Sequence, residues 1–113
     1  MTRRPPPTSA ELARLRSEID ELDRRIVKLL NERADRTVEV GHEKSALGRR
    51  AIRDRERERE VLLRVTMANA GPLPQADLLA IYRRLIASSR ALEAAERERF
   101  RRGEDGPAEP PSA

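Results

Sequence analysis

The chain reads as an all-α protein of three helices, the first very long, assembled as an intertwined six-helix homodimer. Three observations lead there. Charged residues make up 39% of the 113 and aromatic residues 2%, so any core is built from Leu, Ile, Val and Ala. From Leu12 the apolar residues step by three and four through Leu15, Ile19, Leu22, Ile26 and Leu29, the spacing of one helix face. Apart from Gly41, glycine and proline gather in the head, in "GRRAI", in "GPLP" and in the tail, which leaves three uninterrupted segments.

The first helix opens at a T-x-x-E capping box, Thr8 with Glu11, after the triple proline, and its periodicity runs toward Gly41 and Gly48. That is roughly 39 residues, or about 60 Å at 1.5 Å per residue. The second opens near Asp54, a good N-cap, and ends before "GPLP". The third begins around Pro74, suited to a first helical position, and runs to about Phe100. Residues 1–8 and the tail 101–113, "RRGEDGPAEPPSA", are expected to be disordered, leaving a helical domain over 9–100. A 60 Å helix is not covered by two shorter helices in a domain whose radius of gyration is about 13 Å. Its seam needs a partner, and the simplest is the same helix in a twofold dimer.

Composition narrows the function classes. Without cysteine, neither a disulfide nor a thiolate metal or redox site is available. The start, "MTRRPPPTSA", has no apolar core of a signal peptide and no run approaches membrane length, so a soluble cytoplasmic protein is expected. The residues outside the helices are too few for an amino-acid-binding module, so direct feedback control is not expected. A net charge of +4 and a pI near 10.5 suit nucleic acid or a small anionic ligand.

The seam itself favours the second. Beyond Leu29 its next step lands on Arg33 and then, through Thr37 and Val40, on Lys44. A single cation there is explained by a stem that snorkels to water. Two cations eleven residues apart return to within about 20° on one face, about 16 Å apart along the axis, and bracket a cavity. On the second helix Asp54, Arg57 and Glu58 share the face that continues into Val61 and Val65. On the third, Tyr82 and Leu85 share theirs with Ser89 and Glu93. Ionic groups on core-facing stripes are costly without partners. Either the helix ends are solvated in a plain structural dimer, or the bundle encloses a polar pocket for an anion. Arg16 lies about 25 Å from Arg33 along the axis and roughly 100° around it, so only Arg16 of an antiparallel second chain can line the Arg33 site.

The elements "LRSEIDELDRRIVKLLNER", "VEVGHEK", "IRDRERERE" and "LIASSRALEAAE", in this order and spacing, resemble the all-helical AroQ class of chorismate mutases over about residues 11–97. The resemblance implies a cofactor-free Claisen rearrangement of chorismate to prephenate at the head of phenylalanine and tyrosine synthesis. It implies that Arg33 and the second chain's Arg16 grip the two substrate carboxylates, a task that suits the guanidinium fork. Lys44 is similar to the lysine that contacts a carboxylate and the ether oxygen of the breaking bond. Asp54 and Glu58 resemble the residues that hold the ring hydroxyl, and Arg57 and Ser89 resemble supporting polar groups. Glu93 stands where many members have Gln and others Glu.

The residue types fit that chemistry. A [3,3]-sigmatropic shift needs neither nucleophile nor general base. It needs the enolpyruvyl group held over the ring, which fixed ionic contacts achieve. It also needs donors for the charge developing on the ether oxygen, the part given to Lys44 and Glu93. A carboxyl donates only when protonated, so Glu93 makes activity sensitive to pH.

Other features read as structural: His42 as a solvated surface residue, Tyr82 as core, and "RDRERERE" as an exposed, ion-paired helix face. Nucleic-acid binding is disfavoured because only Tyr82 and Phe100 are available to stack bases and the cations alternate with acids. A purely structural coiled coil would not need ionic residues on three seams. Within the fold, isochorismate pyruvate lyase and aminodeoxychorismate mutase are nearer alternatives, against which Asp54 and Glu58 favour a substrate with a ring hydroxyl.

Overall fold

The structure, a computed structural model, describes residues 9–49 and 53–103. These form three helices, α1 (Ser9–Ala46), α2 (Arg55–Ala68) and α3 (Gln75–Arg101), with no strand among the described residues. The all-α reading and its three helices hold. Thr8, the first half of the expected capping box, lies outside the described residues, as do Arg50, Ala51 and Ile52 of the "GRRAI" loop. No described helix is long and apolar enough to cross a membrane.

The chain divides between Arg33 and Ala34, inside α1, into two compact units. In the first, the seam residues Leu12, Leu15, Ile19, Leu22, Ile26 and Leu29 are between 48% and 62% exposed. Its polar face carries local ion pairs such as Arg14–Glu18 at 2.9 Å, one helical turn apart as the spacing dictates.

In the second unit the end of α1 has a definite cause. The amide of Gly48 donates to Ser45 O at 3.0 Å and that of Arg49 to Lys44 O at 2.9 Å, the paired bonds of a Schellman motif. Gly48 occupies the left-handed position at φ +72°, where a Cβ would be strained. The helix thus passes through Gly41 and stops at the second glycine. Helix α2 starts where the sequence places it, with Asp54 Oδ1 accepting from the Arg57 amide at 3.0 Å.

Asn69 closes α2 and ties the turn to α3. Its Nδ2 donates to Gln75 Oε1 at 2.8 Å and its Oδ1 accepts from the Gly71 amide at 3.0 Å. Pro74 is the N-cap of α3, not its first helical residue, because its ψ of 138° is still extended. At the other end α3 continues through Arg101. Helices α2 and α3 pack on one another, with Val61, Leu62, Val65, Leu78, Leu79 and Leu85 half-buried. Among the described residues Ile86 is the one buried hydrophobic side chain, a thin core for a chain of this size.

Candidate active site

The site is built where α1 meets α3. A Cβ added to Gly41 would lie 3.0 Å from Glu93 Cα and 3.2 Å from Glu96 Cβ, so only a residue without a side chain permits this approach. Gly41 and Ser45, one turn apart, are buried at the contact. The closeness lets Lys44 Nζ donate to Glu93 Oε1 at 2.6 Å, with the two side chains only 20% and 12% exposed. In that setting the pair is less screened than a surface ion pair and more strongly held. Two residues 49 apart in sequence, picked out as ionic groups on apolar stripes, are therefore brought into direct contact.

A second polar link joins α2 to α3. Arg90 Nη1 donates to Glu58 Oε2 at 3.0 Å, and Arg53 Nη2 lies 3.4 Å from Glu58 Oε1. Sequence reasoning did not single out either arginine, since both sit among many similar charges. Asp54 is occupied as the α2 cap. The guanidinium of Arg57 is turned to Glu60 of its own helix, 3.6 Å away and mostly exposed. Ser89 Oγ donates to the Leu85 carbonyl at 3.0 Å. In the first unit Arg16 is exposed and Arg33 half-buried. Tyr82 is half-buried, and the α2 run carries surface pairs such as Arg57–Glu60 and Arg64–Glu60.

His42 departs from expectation. Its side chain is only 26% exposed, and Nδ1 lies 3.4 Å from Oε1 of Glu96. That nitrogen is buried and makes no hydrogen bond, and the ring meets Phe100 edge-on with centroids 6.3 Å apart. Glu96 itself, 1% exposed, also has Arg99 Nη1 at 3.3 Å from Oε2. The signal was present in Gly41: a glycine inside a helix costs about 1 kcal/mol relative to alanine and so marks a close approach. Beyond this cluster a cavity of about 440 Å³ is lined by Ser45, Gly48, Arg49, Arg97, Phe100 and Arg101. None of the eight residues expected from sequence lines it.

With this geometry in view, the comparison with known proteins is specific. A sequence model described as chorismate mutase type II matches residues 15–94. The chain belongs to the type II chorismate mutase family. The match contains Arg16, Arg33, Lys44, Asp54, Arg57, Glu58, Ser89 and Glu93, and ends one residue after Glu93. Among curated relatives it is similar to a bifunctional chorismate mutase/prephenate dehydratase of Aquifex aeolicus strain VF5, 40% identical over 87 residues. That alignment covers 74% of this chain and 24% of the relative. It is also similar to a protein of the same description from Neisseria gonorrhoeae, 37% identical over 78 residues, covering 69% of this chain and 21% of the relative. The chain thus spans about a quarter of the length of these relatives. Helices α2 and α3, up to residue 94, and most of α1 fall within the type II mutase match.

Proposed function

We propose that the protein catalyses the rearrangement of chorismate to prephenate in aromatic amino acid synthesis. The carrying observation is the contact between Lys44 and Glu93, two polar groups on facing helices, inside a family match that holds all eight expected positions. In this reading Arg33, with Arg16 of a second copy of the chain, grips the two substrate carboxylates through guanidinium forks. Asp54 and Glu58 hold the ring hydroxyl, supported by Arg57 and Ser89. Contacts of this kind fix the side chain over the ring, and the rate gain comes from that pre-arrangement rather than from any bond to the protein.

The Lys44–Glu93 pair then supplies the electrostatic part. Before substrate arrives the ammonium is held against the carboxylate of Glu93. On binding, the ammonium turns to a substrate carboxylate and to the ether oxygen, where negative charge grows as the C–O bond breaks. Glu93 contributes there as a donor when its carboxyl carries a proton, and opposes the reaction when it does not. Both groups sit on packed helices, so little reorganisation is needed when the charge appears.

Assembly belongs to the same proposal. The exposed seam from Leu12 to Leu29 is the surface a twofold partner would cover, giving an intertwined six-helix homodimer with two equivalent sites. The thin core of the second unit supports that reading, since dimer burial supplies apolar contact that the described residues of one chain do not. The head before residue 9 and the tail after Phe100 are assigned no part in the site, and the location is taken as the cytoplasm.

The direct test is to incubate the purified protein with chorismate, follow the loss of its ultraviolet absorbance and identify the product. Prephenate is expected. Release of pyruvate from isochorismate, or turnover confined to aminodeoxychorismate, would replace the proposal by the lyase or the amino-substrate mutase of the same fold.

A further inference from the structure

Glu96 is the most buried side chain of the described residues, at 1% exposure, yet the rearrangement proposed above gives it nothing to do. Burying a carboxylate costs several kcal/mol before its partners compensate. A leucine or methionine would fill the same space between helices without that cost, so a carboxylate here calls for an explanation beyond packing.

Its surroundings suggest one. Counting about 100° per residue around α1, Gly41 and Ser45 point toward α3, while His42 and Lys44 lie about 80° to either side of that direction. The helix contact is therefore flanked by an ion pair on one side and by a close His42–Glu96 approach on the other. On one flank Lys44 Nζ reaches Glu93 Oε1 at 2.6 Å. On the other His42 Nδ1 faces Glu96 Oε1 at 3.4 Å, with Arg99 on the remaining oxygen. Glu93 and Glu96 are one turn apart on α3, so a slide or rotation of α1 that separated His42 from Glu96 would also draw Lys44 from Glu93. Gly41, with α3 backbone 3.0 Å from where its Cβ would be, allows the two helices to come close enough for both approaches.

We propose that Glu96, paired with Arg99 and packed against Gly41 and His42 of α1, is a positioning residue that fixes the register of α1 on α3 and thereby places Lys44 against Glu93. The inference rests on the chorismate mutase reading for its kinetic consequence, but not for its structural one. A buried ionic group used as a registry device lowers stability relative to an apolar one while narrowing the arrangements available. Misplacement of a reacting group by about 1 Å costs on the order of a hundredfold in rate. Glu96 never touches substrate, so its removal lowers kcat and leaves KM for chorismate nearly unchanged.

The decisive variants are Glu96→Leu and Glu96→Gln, with thermal unfolding recorded for each. Glu96→Leu is expected to fold with unchanged or raised Tm, to lose about tenfold to a hundredfold in kcat, and to keep KM within about twofold of the parent. Glu96→Gln keeps the shape and an acceptor oxygen, and is expected to recover most of the loss. In a Lys44→Ala background Glu96→Leu should change kcat no further, because the group it positions is gone. Wild-type kcat in folded Glu96→Leu, or an equal loss in the Lys44→Ala background, overturns the proposal. The side-chain ¹⁵Nζ resonance of Lys44, slowed in exchange by its bond to Glu93, should vanish into solvent exchange in Glu96→Leu, and its persistence would also overturn it. That signal decides the matter even if the wild-type protein leaves chorismate untouched, an outcome that would sink the functional reading alone. Should Glu96→Leu fail to fold, Gly41→Ala perturbs the same register from α1, with the same expected split of kcat from KM, the same loss of the Nζ signal, and the same contrary results.

Discussion

Lys44 and Glu93 hold one another in the free protein, so each substitution must be read against the partner it leaves behind. Lys44→Ala removes the cation proposed to meet the breaking C–O bond. It should lower kcat by about a hundredfold to a thousandfold, the usual cost of one lost transition-state donor. Circular dichroism should still report the parent's helix content. Near-normal turnover in folded Lys44→Ala would return the lysine to a structural role. Glu93→Gln asks a different question, because an amide donates at every pH and a carboxyl only when protonated. Glu93→Gln should therefore turn chorismate over at least as fast as the parent under conditions where both proteins stay folded, and a markedly slower Glu93→Gln would remove this position from the donor role. These two residues were legible in the sequence because charge on an otherwise apolar stripe is conspicuous. His42 was misread, since it lies about 200° around α1 from Lys44. Only the crossing at Gly41 reveals that both flanks of that helix meet α3.

The helices began and ended mostly where local chemistry places them. Asp54 caps α2, Gly48 closes α1 and Asn69 ends α2, each satisfying backbone groups that the helix cannot. Pro74 was placed one position too far inside α3, because a proline suits both the cap and the first turn. Asp54 carries two duties in the proposed scheme, and these can be separated. Asp54→Ala should lower stability by about 1 kcal/mol through loss of the cap and also weaken chorismate turnover. Asp54→Ser keeps a capping oxygen but not the carboxylate, so it should unfold near the parent's temperature while showing the same kinetic defect. If Asp54→Ser is as active as the parent, the residue is a cap and nothing more. Chemical denaturation with chorismate kinetics on the same samples supplies both readings.

At the scale of the molecule, the exposed seam of α1 is the feature most in need of a partner. Fully burying a Leu or Ile side chain is worth about 1.5–3 kcal/mol, so covering the exposed half of six of them favours association by several kcal/mol before the cost of ordering two chains. Sedimentation at micromolar concentration should show a dimer, and Leu22→Arg should shift it toward monomer. The shared site makes a stricter prediction. Arg16→Ala and Arg33→Ala should each be inactive alone, yet after subunit exchange each heterodimer should regain one intact site. Proven exchange without recovered activity would exclude a site completed by the second chain's Arg16.

The sequence by itself determined the helical class, the three segments and the helix ends at Asp54 and Gly48, because spacing of apolar residues and the hydrogen-bonding needs of helix ends are local properties. It also picked out the ionic residues on apolar stripes, since such placement is costly wherever it occurs. Tertiary structure decided which of those residues meet. Lys44 pairs with Glu93 across the crossing, Glu58 takes Arg90 and Arg53, Arg57 turns to its own helix, and Glu96 is buried with His42 and Arg99. Helical periodicity fixes the face on which a residue sits, but not where another helix crosses that face. The crossing depends on the distance between two backbones, which at Gly41 is set by the absence of a single Cβ.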